Sequence, residues 1–516
     1  MRTRRALIAT VASLSVIGAL TLPAAADPQT PSSDPALDAR IADAVGKLDQ
    51  LGAEALAKTG VPGMAIAVVR GDQLLYAKGF GVRKVGTTEP VTAETVFQLA
   101  SVSKSVGASV VAAAVGKGIV GWQDPVIKHL PTFKLSNDYV TRSATIADMY
   151  AMRSGLPYQS GDVLEAIGYN RTEVMQRVST LPLAPFRLQH LYTNFGLTIG
   201  AESVAMAARK SWEKLSEDLL YKPLGMTATS STYEGFIAKS NRTSLHVPVN
   251  GTWQAHYTRN ADAQSPAGGV SSNVLDLSKW MRMEMDHGRF GGAQIVGPKA
   301  LAAAQTAQIR TTPVGDAATV PRWYGSGMAV SIDRTGQMRL THSGAFSAGA
   351  GTTYIMQPAQ RLGIVVLANG LVGLPEAVAE SFMDLVQTGS VSRDWLAVTK
   401  SAFGPIYDPN PQFAEDKQPS KLSSQRALTS YVGTYSNDFF GTVSVTVLGK
   451  SLQVTMGPSR IVIPLRHWTA DQFVGLMGAG DFPYEFPVDF YGTRTKVTGL
   501  NLGFGSGNLE QLTRVN

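Results

Sequence analysis

The segment Phe97-Gln98-Leu99-Ala100-Ser101-Val102-Ser103-Lys104 places a serine and a lysine three positions apart, directly before a long apolar run. If Ser101 lies at the start of a helix, its side chain and that of Lys104 share one face of that helix. The run that follows, residues 106–115, carries no charged residue on any face, which is typical of a helix buried in a core. The sequence therefore predicts a lysine held beside a serine at the entrance to a buried helix.

Burial of the lysine would have a chemical consequence. A lysine shielded from water loses its proton more readily, because desolvation disfavours the charged form. A neutral lysine can accept the proton of a neighbouring hydroxyl and convert that hydroxyl into a nucleophile. The N-terminus of a helix adds backbone N–H groups that stabilise developing negative charge. This pattern predicts that Lys104 activates Ser101.

The Ser-x-x-Lys spacing is a weak pattern by itself, because it recurs at Ser211 and Lys214. The second copy lies among charged residues and is typical of a solvated helix face. The alternatives are a helix N-cap for Ser101 and an exposed helix residue for Lys104. The apolar neighbours of Lys104 and two motifs further along the chain favour the catalytic interpretation.

The N-terminus predicts export. Within residues 1–26, three arginines precede an apolar stretch over residues 6–22 and a run of alanines ending at Ala26, which is the pattern of a cleaved secretory signal peptide. The alternative is a membrane anchor, but the stretch is short for a span of ~20 residues, and Pro23 with the alanines favours cleavage. We therefore expect a periplasmic or secreted protein, by either the Sec or the twin-arginine route.

Composition argues against several other classes. The chain has 516 residues, 44% hydrophobic and 16% charged, and its formal charge falls from +7 to +4 without the three signal arginines. No basic block is present, so nucleic acid is not an expected partner. There is no cysteine, hence no disulfide or thiol chemistry. The seven histidines show no paired ligand spacing, so we expect no metal and no cofactor. The sequence has no second long apolar run, so we expect no membrane span after signal cleavage.

The predicted elements indicate an α+β fold. Strands near both ends of the first 390 residues enclose a mainly helical middle, which predicts one antiparallel sheet flanked by helices, with an inserted helical lobe. The expected strands are residues 64–69 and 74–78 as a hairpin, then 328–332, 338–341, 352–356 and 362–367. The expected helices include 37–58 on the surface, 195–208 in the core and 375–386 as a closing helix. The strand over 338–341 is expected to end at the motif His342-Ser343-Gly344.

The C-terminal region has a different pattern. Residues 405–424 hold four prolines and no periodicity, as expected of a linker. Beyond them the pattern predicts short alternating strands and no helix, hence a small all-β domain shaped as a barrel or curled sheet. Six strands are expected there, at residues 443–447, 452–455, 461–465, 472–476, 486–491 and 496–502. The expected organisation is a signal peptide (1–26), a main domain (36–404), the linker (405–424) and the β-domain (425–516).

Two further motifs complete a set. Tyr192-Thr193-Asn194 begins 91 residues after Ser101, and His342-Ser343-Gly344 begins 150 residues after Tyr192. With these motifs in this order, residues 45–390 resemble the serine β-lactamase and penicillin-binding-protein superfamily, in its class C β-lactamase, D,D-peptidase and esterase branch. The resemblance implies a β-lactamase/transpeptidase-like fold. The β-domain more loosely resembles the lipocalin-like domain that some members carry.

The resemblance implies a role for each motif residue. Ser101 would be the acylated nucleophile, and Lys104 would activate it. Tyr192 would pass a proton to the leaving group and recover it for deacylation; since a free tyrosine has a pKa of about 10, charged Lys104 would have to lower that pKa or share the proton. Asn194 would hold the substrate carbonyl or brace Lys104. The alternatives are a core tyrosine for Tyr192 and a turn residue for Asn194.

The third motif stands where β-lactamases usually have Lys-Thr-Gly, and its strand would border the site. The resemblance implies an oxyanion hole made by the backbone N–H groups of Ser101 and Ala345, and substrate contacts from His342, Ser343 and Gly344, with Gly344 allowing substrate to approach the strand. A histidine is mostly neutral at pH 7 and lacks the permanent charge that a lysine offers a β-lactam carboxylate. This departure favours peptide or ester substrates, unless His342 merely packs against the strand.

These expectations describe an exported serine hydrolase that forms an acyl-enzyme on Ser101. Its substrates would be small amides, D-amino-acid peptides or esters. The alternatives are a class C-like β-lactamase, or a penicillin-binding or cell-wall-binding protein with little turnover. The natural substrate, the oligomeric state and the role of the β-domain stay open. Four aromatic residues are candidates for the pocket wall, although aromatic side chains are more often core residues: Tyr158, Trp323, Tyr324 and Phe346.

Overall fold

A computed structural model describes residues 34–312, 320–407, 413, 417–478, 483–504 and 511–515. The signal peptide predicted at residues 1–26 lies outside these residues. Within the described part of the chain, no helix is long and apolar enough to cross a membrane.

An eight-stranded antiparallel sheet forms the centre of the N-terminal unit, with strand order β2-β1-β14-β13-β12-β11-β10-β9. The first hairpin pairs with the last strand, from Met64 opposite Ala368 to Arg70 opposite Leu362. The helical middle of the chain is therefore an insertion between the two ends of one sheet, as predicted. The strands of this unit, including three short two-stranded pairs, are β1 (Gly63–Arg70), β2 (Gln73–Gly81), β3 (Phe97–Gln98), β4 (Val247–Val249), β5 (Thr252–Gln254), β6 (Ser271–Ser272), β7 (Arg289–Phe290), β8 (Ala293–Gln294), β9 (Ile309–Arg310), β10 (Trp323–Tyr324), β11 (Ala329–Ile332), β12 (Met338–Phe346), β13 (Ala350–Gln357) and β14 (Leu362–Ala368).

Helices cover both faces of the sheet, so β1 is buried on both sides. Its larger side chains, Met64, Ile66 and Val68, pack in the cluster with α1, α2 and α16, while its alternate residues, among them Ala65 and Ala67, pack in the cluster with α3 and α14. The helices are α1 (Pro35–Gly46), α2 (Leu48–Thr59), α3 (Ser103–Gly116), α4 (Val126–His129), α5 (Asp138–Ser143), α6 (Ile146–Tyr150), α7 (Asp162–Ala166), α8 (Arg171–Arg177), α9 (Asn194–Ala208), α10 (Trp212–Ser216), α11 (Lys222–Leu224), α12 (Tyr233–Ile237), α13 (Ser265–Gly268), α14 (Val274–Met285), α15 (Pro298–Gln305), α16 (Leu374–Thr388) and α17 (Trp395–Phe403).

The buried helix predicted after Ser101 is α3. Every residue from Ser103 to Ala114 is buried, so the helix is surrounded by other elements. Its small residues allow close neighbours: a Cβ added to Gly107 would lie 3.2 Å from the Trp212 ring and 3.3 Å from the carbonyl oxygen of Pro266. The absence of charge in this stretch therefore corresponds to the centre of the core.

Two predicted boundaries were wrong. The helix expected over residues 37–58 is two helices, because it breaks at Lys47, whose N–H donates back to the Ala44 carbonyl at 3.2 Å. The strand expected to end at residues 342–344 continues to Phe346, paired with β13 throughout. Gly344 lies inside this strand, at the point where the strand packs closely against the backbone of Leu99 and Ser101.

The C-terminal region is a closed eight-stranded antiparallel barrel. The sequence predicted six of these strands and missed the first and the last, which are short and polar and which close the barrel by pairing Tyr435 with Arg514. The described helical structure here is a 3-10 turn at Leu428–Ser430. The strands are β15 (Gly433–Asn437), β16 (Gly441–Leu448), β17 (Ser451–Met456), β18 (Ile461–Thr469), β19 (Gln472–Met477), β20 (Tyr484–Gly492), β21 (Val497–Leu502) and β22 (Gln511–Arg514).

Aromatic side chains fill the barrel. Tyr431, Tyr435, Phe473, Phe486 and Phe490 are all buried, and the rings of Phe473 and Phe490 meet edge to face with their centroids 5.7 Å apart. The interior is therefore a packed core, unlike the open cup of a barrel that encloses a ligand.

The barrel docks on the helical lobe through α7, α8 and the loop between them. The Tyr169 hydroxyl donates to the Phe440 carbonyl at 2.9 Å, and Arg177 donates to the carbonyls of Asp438 and Phe439 at 2.8 and 3.0 Å. Apolar side chains of the lobe and of the barrel interior form one continuous buried cluster. The lobe and the barrel therefore share a core, and the barrel is fixed beside the lobe.

Candidate active site

Ser101, Lys104 and Tyr192 meet at one point. The Lys104 ammonium nitrogen lies 3.0 Å from the Ser101 Oγ, and the Tyr192 hydroxyl donates to the same Oγ at 2.7 Å. Lys104 and Tyr192, 88 positions apart in sequence, are thus both within hydrogen-bond distance of one hydroxyl. This is the distance at which a base or acid can exchange a proton with a nucleophile.

The backbone around Ser101 is held from several sides. Ser101 lies in a 3-10 turn, Ala100–Val102, that leads into α3, so it precedes the α-helix instead of opening it. Ala100 has a left-handed backbone with φ of 47°, which is unfavourable for a residue with a Cβ. Thr352 donates to the Leu99 carbonyl at 2.7 Å, and the Leu99 N–H donates to Val270 at 2.8 Å. These contacts hold the strained turn in place.

Lys104 is fully buried. Its Nζ also donates to the carbonyl oxygen of Ala267 at 2.8 Å. Burial lowers the pKa of Lys104 to about 7, an effect that the negative charge of Asp162 partly opposes. At neutral pH a large fraction of this lysine is therefore unprotonated and able to act as a base.

Tyr192 differs from the expectation. Its pKa is raised, chiefly by burial, although Lys104 lies 4.8 Å from the centre of its ring. The expected lowering by the lysine does not occur: desolvation of the phenolate raises the pKa of Tyr192, and the hydrogen bond with Ser101 opposes this only in part. Tyr192 therefore keeps its proton and can donate it, while Lys104 is the group able to accept one.

His342 is held in its neutral form. Its Nδ1 lies 2.7 Å from the Ser343 carbonyl oxygen, so Nδ1 carries the proton, and its Nε2 accepts from the Tyr324 hydroxyl at 2.9 Å. Burial, assisted by the charge of Lys104, lowers the pKa of His342 to about 3. The strand therefore presents no positive charge at the position where β-lactamases usually have lysine.

The neighbours of His342 in β12 have different surroundings. Ser343 and Ala345 line the cavity in front of Ser101. A Cβ on Gly344 would collide with the Leu99 carbonyl and lie 3.0 Å from the Ser101 backbone nitrogen, so this glycine allows the strand to contact the turn that carries Ser101. Its role in the approach of substrate stays a prediction. The oxyanion pair of Ser101 and Ala345 stays a prediction, with both residues at the cavity.

Asn194 lines the cavity, and its amide nitrogen makes its hydrogen bond to a residue other than Lys104. Its Nδ2 donates to the Asp162 carboxylate at 2.8 Å. Asp162 and Glu165 on α7 both line the cavity, and Arg259 pairs with Glu165 at 2.6 Å. Sequence reasoning missed these three charged residues, because no motif surrounds them; the three-residue spacing of two acids after Gly161 was the only signal.

The cavity has a volume of about 1150 Å³ and extends across three regions of the chain. Of the predicted aromatic residues, Tyr158, Tyr324 and Phe346 line it, and Trp323 is not among its wall residues. Its other wall residues include Phe403 at the end of α17, Ile406 just after that helix, and Tyr484 and Phe504 from the barrel. Among the residues that the structure describes, no group of three or more acidic or histidine side chains is placed to hold a metal ion.

The main body of the chain is similar to proteins of known families. A family model described as Beta-lactamase matches residues 48–387. The chain is 25% identical over 343 residues to an unguisins hydrolase of Aspergillus campestris, covering 63% of this chain and 62% of that protein. It is 26% identical over 229 residues to the D-alanyl-D-alanine-carboxypeptidase/endopeptidase AmpH of Escherichia coli, covering 43% and 57%. The chain thus spans about three fifths of the length of these curated relatives.

A solved structure shows the same fold. The octameric penicillin-binding protein homologue from Pyrococcus abyssi is similar with a TM-score of 0.58 and 21% sequence identity, over 91% of this chain and 100% of that one. The similarity supports a β-lactamase/transpeptidase-like unit followed by a barrel.

Proposed function

The chain belongs to the beta-lactamase family, and we propose that it is a serine hydrolase whose nucleophile is Ser101. The observation that carries the proposal is the hydrogen bonding of one Oγ to both the Lys104 amine and the Tyr192 hydroxyl, at 3.0 and 2.7 Å. The pKa of Lys104 is lowered towards neutrality, and the pKa of Tyr192 is raised. A pair of titratable groups whose pKa values are pushed apart is the arrangement that assigns a base and an acid.

The geometry supports a two-step acyl transfer. Neutral Lys104 accepts the Ser101 proton as Oγ bonds to the substrate carbonyl carbon, and the backbone N–H groups of Ser101 and Ala345 receive the oxyanion. The tetrahedral intermediate expels its leaving group, which takes the Tyr192 proton, and the tyrosine recovers a proton from charged Lys104. Water then attacks the acyl-enzyme along the reverse proton path, which restores all three residues.

The proposed substrates are small amides, D-amino-acid peptides or esters. Neutral His342 gives a β-lactam carboxylate no permanent partner, which supports this class over a dedicated β-lactamase. The names of two relatives, a hydrolase and a carboxypeptidase/endopeptidase, fit a peptide substrate. We include export in the proposal on the pattern of residues 1–26, and expect the mature chain to begin near Asp27 when its N-terminus is sequenced.

A substrate panel with the Ser101→Ala variant tests the proposal. We expect Ser101-dependent hydrolysis of p-nitrophenyl esters and of alanyl anilides or D-alanyl peptides, lowered about 10³-fold or more in Ser101→Ala. Full activity in that variant would overturn the assignment of the nucleophile. Rapid turnover of a chromogenic cephalosporin would instead support the β-lactamase alternative. A long-lived penicillin adduct in intact-mass spectra, without turnover of any substrate, would support a binding protein.

A further inference from the structure

The cavity in front of Ser101 has an apolar side that the proposed proton transfers do not use. Three large hydrophobic side chains that are exposed on this protein line it: Tyr158 is 61% exposed, Tyr484 43% and Ile406 37%. They come from the loop before α7, from barrel strand β20 and from the turn after α17. Exposed apolar side chains around one concave surface are typical of a binding site. We call the following lining residues the apolar wall: Tyr158, Phe346, Phe403, Ile406, Tyr484 and Phe504.

A series of contacts joins the barrel to the segment that carries Tyr192. Asn194, two positions after Tyr192, donates to Asp162 at the start of α7 at 2.8 Å. Just past the other end of α7, the Ile167 carbonyl accepts from the Ser459 N–H of the barrel at 3.3 Å. Five positions separate Asp162 from Ile167, which is about 8 Å along a helix. The barrel therefore meets the lobe about one short helix away from the reacting centre.

The barrel part of the apolar wall consists of two aromatic rings at this junction. Tyr169, which follows α7, donates to the Phe440 carbonyl at 2.9 Å. The ring of Phe440 lies 5.7 Å from that of Phe504, and the Phe504 ring lies 6.4 Å from that of Tyr484. Phe504 also stacks on Phe486 with the ring centroids 4.2 Å apart. The barrel core therefore holds Phe504, and Phe504 in turn contacts the more exposed Tyr484.

The rest of the apolar wall belongs to the N-terminal unit. Phe346 is the last residue of β12, one position after Ala345 of the expected oxyanion hole. Phe403, at the end of α17, packs where α16 begins, since a Cβ on Gly373 would lie 2.9 Å from its ring. The apolar wall therefore extends from the strand beside Ser101 to the barrel.

The size of the cavity indicates what the apolar wall binds. Its volume of about 1150 Å³ is above the range of roughly 300–1,000 Å³ that is usual for small-ligand pockets. A substrate as small as an alanyl amide would leave the apolar wall in water. An extended apolar group on the substrate would instead cover it, and each methylene so buried is worth about fourfold in affinity.

We propose that the apolar wall is a substrate-binding subsite, which makes this hydrolase selective for amides or esters that carry an extended apolar group. The inference rests on the proposed function for the reaction and narrows its substrate class. Binding to the apolar wall does not require turnover, so the subsite can be tested separately from the nucleophile.

Binding is tested by fluorescence titration with N-phenyl-1-naphthylamine, an uncharged dye that becomes brighter in apolar surroundings. We expect saturable binding, weakened about tenfold in Tyr484→Asp, because a charge beside an apolar ligand is costly. Tyr491→Asp is the matched control, since Tyr491 lies on the same strand, is 39% exposed and is outside the cavity wall. If circular dichroism shows that Tyr484→Asp fails to fold, Ile406→Asp takes its place. No saturable binding, or equal weakening in the variant and its control, would overturn the proposal.

Selectivity is tested with two series of esters below their micelle-forming concentrations. One series lengthens the acyl group of p-nitrophenyl esters from acetate to octanoate, and the other lengthens the alcohol of acetate esters from methyl to octyl. We expect kcat/KM to rise about 10- to 100-fold along at least one series, which identifies the side of the scissile bond that faces the apolar wall. This rise should be lost in Tyr484→Asp and kept in Tyr491→Asp.

The two proposals fail in different ways. Rates that are independent of chain length in both series, with Ser101-dependent hydrolysis intact, would overturn the subsite and leave the proposed function standing. Hydrolysis that does not depend on Ser101 would overturn the proposed function instead, and the dye titration would then decide whether the apolar wall binds apolar groups.

Discussion

Lys104 shows how a single buried residue sets the chemistry of the site. It is fully buried, and Asp162, the carboxylate whose charge acts on it, makes no hydrogen bond to it in the described structure. Its amine is instead held by a serine hydroxyl and a carbonyl oxygen. Both partners accept hydrogen bonds without neutralising the charge, so desolvation lowers the pKa and prepares a base.

The pH dependence of the reaction should reveal this base. Because Lys104 must be neutral, kcat/KM for a neutral ester should rise with pH through about 7 and then level off. Below that value it should fall about tenfold per pH unit, and the raised pKa of Tyr192 should keep the plateau flat into the alkaline range. Initial rates between pH 5 and 9 would check the profile. A rate that falls as pH rises through 7 would contradict the role of Lys104 as base.

The site residues were predictable to different extents, for a physical reason. Ser101 and Lys104 are neighbours in one helical turn, and Tyr192 and His342 lie in short motifs whose order along the chain is informative. Asp162 joins them only through the packing of α7 against the start of α9, which leaves no local pattern. The direction of the Tyr192 pKa shift was also beyond sequence, because it depends on burial.

Strand β12 supports the turn that carries Ser101. Gly344 faces the Leu99 carbonyl and the Ser101 backbone, and the strand continues to Phe346 on the far side of that contact. The sequence predicted the strand, but not its length, because a Ser-Gly pair is typical of a strand end. The close approach of two backbones explains why the glycine lies inside the strand.

Gly344→Ala should therefore displace the Ser101 turn. The added Cβ has no room, so we expect kcat to fall about 10²-fold and the free energy of unfolding to fall by about 1–3 kcal/mol. Gly46→Ala is the matched control, since a Cβ there meets nothing within 4 Å and should leave both quantities nearly unchanged. Steady-state kinetics and urea denaturation measure the two effects. Unchanged kcat in Gly344→Ala would show that the turn does not depend on this contact.

At the scale of the whole molecule, the barrel supplies part of the cavity wall. Tyr484 and Tyr491 both lie on β20 and are 43% and 39% exposed, but only Tyr484 lines the cavity. Tyr484→Ala should raise KM for substrates with bulky apolar groups by about 3- to 10-fold with little change in kcat, since it removes binding area and no reacting group. Tyr491→Ala should change neither. Equal kinetics in the two variants would contradict a role for the barrel in binding.

Buried carboxyls should make global stability depend on pH. Burial raises the pKa of Asp162, Glu284 and Glu376 to about 7 each, above their unfolded values. Each group therefore favours the folded state fully below its unfolded pKa, and this contribution is lost as pH rises through 7. The three carboxyls together should lower the free energy of unfolding by several kcal/mol from pH 5 to pH 8, and the lowered pKa values of His342 and Lys104 should offset part of that fall.

The Glu284→Gln variant isolates one of these groups. Glu284 accepts from Ser109 at 2.5 Å and from Gln305 at 2.7 Å inside the core. An amide in its place cannot ionise, so the fall in stability between pH 5 and pH 8 should be smaller than in the wild type. The exposed Glu234→Gln should keep the wild-type slope. Denaturant titrations at several pH values would test this, and an unchanged slope in Glu284→Gln would exclude its contribution.

The position of Tyr484 and Phe504 in the cavity wall has a consequence for the order of synthesis. The ribosome incorporates Ser101 nearly four hundred residues before these two aromatic residues. The chain can thus carry an assembled Ser101 turn while one side of the pocket is still missing. Full substrate recognition by the proposed hydrolase then waits until residues 484–504 have emerged and the barrel has folded, so a part of the chain made late determines when the pocket first becomes selective.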